Sequence, residues 1–221
     1  LLRGIPRRPT IGVTPPFASN SRISKRFMRI LLLVTLAGSC PAQSVSFLPN
    51  TPELLQDLAE PRAQKLALLE KLNRADAAHL GRLPMLAIPA QWTLDELDYS
   101  PLPHDYPAAA AAPKFVVVHR PAQVFGAYES GKLVRWGPIS SAAYKRRTKS
   151  GLYHLNFRSK GRHSTVDPQW FMPWYFNFDN REGIAFHEYL LPGLPDSHGC
   201  IRLLKRDAMW IYEWGQGWKL S

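Results

Sequence analysis

The pair Ser130-Gly131 constrains this chain more than any other local feature. Gln123–Glu129 runs up to it and Leu133–Ile139 returns from it, the spacing of a β-hairpin closed by a short turn. Just upstream, Phe115–His119 is an unbroken run of strand length, mostly Val and Phe. Leu152–Phe157 predicts a further strand, and Pro168–Phe178 is dense in aromatics. Asp207–Trp214 predicts a short helix. Strands and helices do not alternate in βαβ fashion, and no internal repeat occurs. The expectation for 114–221 is a mostly β (α+β) domain with short helices.

The N-terminal part follows a helical pattern. From Thr51 to about Leu80, Thr51 can cap and Pro52 suits a first turn, with Leu54, Leu55 and Leu58 on one stripe. Pro61 opens a second helix carrying Leu66, Leu69 and Leu72. Residues 43–97 are thus expected to be a small helical appendage. Residues 98–113, rich in Pro and Ala, are expected to be a linker.

The formal charge of +11 is unevenly spread. Residues 1–40 hold seven Lys and Arg and no acid, which leaves 21 cations against 17 acids, a net +4, for the remainder. No nucleic-acid footprint is left in the folded part. Lys25, Arg26 and Arg29 precede the apolar run Ile30–Ala37 and the small residues Gly38-Ser39. That order is a secretory signal, too short to span a membrane as a helix. Residues 1–42 are therefore expected to be an over-extended start plus a signal peptide, with Met28 as the expected first residue. Cys40 has two readings, lipid attachment or ordinary cleavage near Ser39 or Ala42. The expected location is outside the cytoplasm, in the periplasm or cell envelope.

Chemistry concentrates near the C-terminus. Ser197-His198-Gly199-Cys200-Ile201-Arg202 follows His187 across Leu191-Pro192-Gly193-Leu194-Pro195-Asp196, whose Pro and Gly predict a turn. A thiol attacks as the thiolate, so it needs a base or cation beside it. Folding the turn back would bring His187 beside Cys200. On a strand His198 and Cys200 would share a face about 6.6 Å apart. Cys200 is the nucleophile expected, His187 the general base, and backbone N–H groups around Gly199 and Cys200 the oxyanion donors. His198, Ser197 or Glu188 would orient the site. Arg202 would hold a carboxylate or form a structural ion pair. Trp174 and Tyr175, with Trp170, Phe171, Phe176 and Phe178, would roof a cleft or fill the core. A buried inert thiol is the plain alternative. Zinc on His187, His198 and Cys200 would need a fourth ligand that nothing nominates, so neither metal nor cofactor is expected.

These residues resemble the signature of the YkuD-type L,D-transpeptidases. Lys114–Val118, Gly131–Val134, Thr148-Lys149-Ser150-Gly151, Met172-Pro173-Trp174-Tyr175 and Gly183–His187 resemble earlier parts of that domain. The resemblance implies an L,D-transpeptidase-type β-sandwich. It implies capture of a peptidoglycan stem peptide as a thioester, with a second stem or an envelope protein as acceptor. Two other functions stay open, a hydrolase of the same fold and a wall-binding protein without catalysis. The chain departs from the family pattern at Ser140-Ser141-Ala142 and at Lys149, where the family has Ser-Thr-Gly and Pro. Leu72-Asn73 through Ile88-Pro89 resembles the tail of a LysM wall-binding repeat, the other reading being a helical pair packed on the catalytic domain.

Overall fold

The computed structural model describes residues 44–93, 95–143 and 148–216. The signal-peptide reading, with Met28 and Cys40, lies outside the described residues.

The N-terminal segment comprises β1 (Val45–Pro49), α1 (Pro52–Gln56), α2 (Arg62–Asn73), α3 (Ala77–Leu80) and β2 (Met85–Pro89). Thr51 caps α1, its Oγ1 accepting from the Leu54 N–H at 3.4 Å. Pro61 stands at the cap of α2 rather than in its first turn. Strands β1 and β2 pair antiparallel from Val45↔Pro89 to Pro49↔Met85, so the segment is not the purely helical appendage expected. Each strand has only five residues and ends in Pro, too short a run for alternation to declare itself. Leu69, Ala75, Leu80 and Leu86 fill the space between strands and helices, with Leu54, Leu55, Leu58 and Leu66 around them.

Residues 98–113 are not a linker. Tyr99, Leu102 and Ala109 are buried, and short 3-10 helices form at Glu96–Tyr99 and Pro107–Ala109. The Pro and Ala residues hid apolar side chains that pack on Val124, Tyr128, Leu133 and Trp136. Backbone bonds fasten the segment as a strap. Tyr106 N–H donates to Gly131 O at 2.7 Å, and Leu133 N–H to His104 O at 2.8 Å.

The remaining strands are β3 (Lys114–His119), β4 (Val124–Glu129), β5 (Lys132–Ser140), β6 (Arg158–His163), β7 (Phe171–Asp179), β8 (Ile184–Glu188) and β9 (Ile201–Leu203), followed by α4 (Lys205–Trp214). They lie in the order β3-β4-β5-β9-β8-β7-β6. The predicted hairpin is β4–β5. Ser130 and Gly131 both take positive φ, 47° and 81°, as a two-residue turn matched to strand twist requires. The predicted Leu152–Phe157 strand is absent, and the strand forms at Arg158–His163 instead. Asn156 meets Asn177 through one backbone bond of 2.8 Å and one side-chain bond of 2.9 Å, beside the irregular register at Asn177/Asp179. The sheet folds over itself as a sandwich. Phe125, Ala127 and Ile139 from one half meet Phe176, Phe178, Phe186 and Ile201 from the other, with Ala208 and Ile211 of α4 closing the layer.

Buried charge joins the layers. Asp207, in the first turn of α4, is fully buried and accepts from Arg135 Nε and Nη2 at 2.8 and 2.7 Å. The carboxylate occupies space that only glycine leaves at position 137, where a Cβ would stand 2.5 Å from Asp207 Oδ2. Lys71 of α2, 1% exposed, pairs with Glu96 over the Trp136 ring, and Arg206 pairs with Glu70. The N-terminal segment is thereby packed on the layers that follow it in the chain. Asp207→Ala leaves the half-buried Arg135 cation without its carboxylate and should lower unfolding free energy by about 3 kcal/mol in urea titrations. Asp207→Asn should lose less.

Candidate active site

Strands β8 and β9 are parallel, with Phe186↔Ile201 and His187↔Arg202 in register. Parallel neighbours cannot be joined by a tight turn. The Tyr189–Cys200 connection therefore swings out and returns, rather than folding back as the Pro-Gly turn suggested. Cys200 arrives level with Ala185 and packs against Ala185, Met172 and Tyr175. His187 lies two residues further along β8 and so faces the same side. Cys200, His187, Tyr175, Trp170 and Arg162 line one cleft of about 640 Å³.

The returning loop is held from two sides. From the end of β5, Ser140 Oγ donates to Leu194 O at 2.8 Å and accepts from the Asp196 N–H at 3.0 Å. Ser141 O accepts from the Ser197 N–H at 3.0 Å, and Thr148 Oγ1 donates to Gly199 O at 2.8 Å. From the N-terminal segment, Asp76 Oδ2 accepts from the Leu191 N–H at 2.8 Å while the Asp76 N–H donates to Leu191 O at 3.0 Å. Sequence reasoning missed Ser140, Ser141, Thr148 and Asp76 as scaffold. Their only signal was the family-like Ser140-Ser141 position and the Thr148 turn.

The electrostatics differ from an ion pair. Burial pushes the Cys200 thiol up, offset in part by a backbone bond at Ala185 and by the cations Arg202 and Arg162. Burial holds His187 down to about 4, against a raising bond to the Glu188 carbonyl, with Arg202 depressing it further. The resting pair is thiol and neutral imidazole. His187 Nδ1 sits 2.9 Å from Glu188 O; a carbonyl only accepts, so Nδ1 carries the hydrogen and Nε2 the lone pair.

Other predicted residues fall differently. Residues 198–200 form a bend rather than a strand, and His198 is exposed with its ring 4.6 Å from Trp170. Ser197 is buried and structural, donating to Cys200 O at 2.6 Å and accepting from the Gly199 N–H at 3.2 Å. The group that orients His187 is thus the main chain of Glu188. The Gly199 amide is already engaged. Arg202 takes the structural option, bound to Asp196 at 2.6 Å and lying over Tyr189. Tyr175 lines the cleft, but Trp174 does not. Trp174 has φ of 55°, and its ring packs edge-on to Tyr212 of α4 at 5.5 Å. Phe176 and Phe178 are core. Among the described residues no cluster of three or more His, Cys, Asp or Glu could hold a metal ion.

Two measurements follow. Alkylation of Cys200 by iodoacetamide, followed by peptide mass, should rise only above the ordinary thiol range; a reactive plateau already present at pH 6 would mean a preformed ion pair. Unfolded, the His187 imidazole titrates near 6.5; folded, at about 4. Between these values the unfolded chain binds a proton that the folded one refuses. Stability is therefore full above about pH 6.5 and falls toward pH 4, by roughly 3 kcal/mol. His187→Gln should flatten that loss in urea titrations at pH 7 and 4.5.

The L,D-transpeptidase catalytic domain profile (YkuD) matches residues 113–217. Comparison with curated proteins gives no match. The chain resembles the crystal structure of an L,D-transpeptidase from Xylanimonas cellulosilytica at 22% identity and TM-score 0.50, over 78% of this chain and 91% of that one. An L,D-transpeptidase from Stackebrandtia nassauensis aligns at 24% identity and TM-score 0.43, over 47% and 51%. One from Mycobacterium smegmatis aligns at 20% and 0.41, over 46% and 54%. The match spans about half the length of these last two proteins. Residues 113–217, which carry the whole cleft wall around Cys200 and His187, are the part of the chain that matches the L,D-transpeptidase catalytic domain (YkuD) family.

Proposed function

We propose that this protein is an L,D-transpeptidase acting through a Cys200 thioester on peptidoglycan stem peptides. One observation carries the reading: Cys200 and His187 share one cleft, with the His187 Nδ1–H committed to Glu188 O, which leaves Nε2 to act as base. As Sγ attacks the donor carbonyl, Nε2 takes the thiol proton, so charge develops only during attack. The oxyanion is received by the Cys200 amide, because the Gly199 amide is held by Ser197. Collapse breaks the C–N bond, and the His187 imidazolium protonates the departing amine. An acceptor amine then attacks the thioester, His187 takes its proton, and the thiol is restored. The donor is a stem tetrapeptide that loses its terminal residue, and the acceptor is a second stem or an envelope protein. The basic-then-apolar segment at Lys25–Ala37 supports work outside the cytoplasm, in the periplasm or envelope.

Incubating the protein with disaccharide-tetrapeptide fragments and following masses tests this. Crosslinked dimers, and a transient Cys200 acyl adduct one terminal residue lighter than the donor, are expected. Cys200→Ala should abolish both while keeping the fold. Loss of the terminal residue without dimers would make the protein a hydrolase, and binding with unchanged masses would make it a wall-binding protein.

A further inference from the structure

Three guanidinium groups line the cleft, and two are accounted for. Arg202 is bound to Asp196, and Arg181 is exposed on the turn between β7 and β8. Arg162 is neither. It stands half-buried on the edge strand β6, paired with Met172 of β7. Its Cζ lies 4.9 Å from the Tyr175 ring centre and 5.7 Å from that of Phe157. Among the described residues no carboxylate comes within 4 Å of it. Glu182, the acid on the cleft wall, is taken by Lys149 at 2.9 Å. A planar cation stacked on two rings, lining a shared cleft and without a carboxylate partner among the described residues, suits a carboxylate.

The order of strands gives the direction. Cys200 leads into β9; β8 brings His187, β7 brings Tyr175 directly across from it, and β6 brings Arg162. The amine that leaves is protonated at His187, so the residue carrying it extends over Tyr175 toward β6. We propose that Arg162 is the subsite for the carboxylate of the leaving residue. This deepens the acyl-transfer reading and rests on it. It replaces Arg202, which its Asp196 pair has already neutralised, as the carboxylate-holding arginine.

The test compares an anionic and a neutral reagent at the same sulfur. Iodoacetate and iodoacetamide both form an S–C bond to Cys200 with loss of iodide, so the ratio of their rates cancels the thiolate fraction and reads carboxylate recruitment alone. In Arg162→Met the iodoacetate-to-iodoacetamide ratio should fall roughly fivefold, while Arg162→Lys should keep most of it. A ratio unchanged in Arg162→Met overturns the subsite. Because Arg162 also lowers the proton affinity of the Cys200 thiol, an unchanged circular dichroism spectrum, rather than the iodoacetamide rate, shows that the variant is folded. With tetrapeptide donors, the wild type should prefer the C-terminal acid to its amide in kcat/KM, and Arg162→Met should lose the preference. If the wild type turns over neither donor, the transferase reading fails while the alkylation ratio still decides the role of Arg162.

Discussion

The parallel pairing of β8 with β9 is the constraint on which the rest depends. Antiparallel neighbours could have been closed by two residues, but this pair needs a long excursion between His187 and Cys200. A long loop would blur the position of the sulfur unless something fixed it. Ser140, Ser141 and Thr148 fix it from one side and Asp76 from the other, through main-chain atoms of the loop. The loop thus ends where β8 already presents a base. Much of the polar bonding around the site serves position and none of the chemistry.

That position is also dry. His187 is 5% exposed, and the same burial that depresses its proton affinity raises that of Cys200. Both shifts favour neutral partners, so the site at rest carries its positive charge on Arg202 and Arg162 rather than on the imidazole. Arg202 spends that charge on Asp196. Arginines do not titrate, so their share of the cleft's charge stays the same across the range where histidine normally changes state.

How much was legible depended on whether the signal was local. The Ser130-Gly131 hairpin, helix α4 and the His187/Cys200 motif were readable because turn chemistry, helical spacing and a short motif are each written within a few residues. Strands β1 and β2 were too short to show a period, and the Pro and Ala of 98–113 masked Tyr99, Leu102 and Ala109, whose burial comes from the distant β4–β5 hairpin. His198 and Cys200 were placed on a strand that begins only at Ile201. Arg162 had no local mark, since its role arises from rings and a sulfur brought together by tertiary pairing. Arg202 was left between two roles, and Asp196, six residues away, decides between them.

Trp174 carries a consequence for the cleft wall. Plain alternation would put Met172 and Trp174 on one side of β7 and Tyr175 on the other. Instead Met172 and Tyr175, three positions apart, pack together against Cys200 while Trp174 joins the core beneath α4. The left-handed backbone at Trp174 resets the parity of the strand, so β7 is two half-strands in opposite phase. A β-branched residue at 174, which disfavours that conformation, would bring the halves back into phase and withdraw either the thioether or the phenol from the wall.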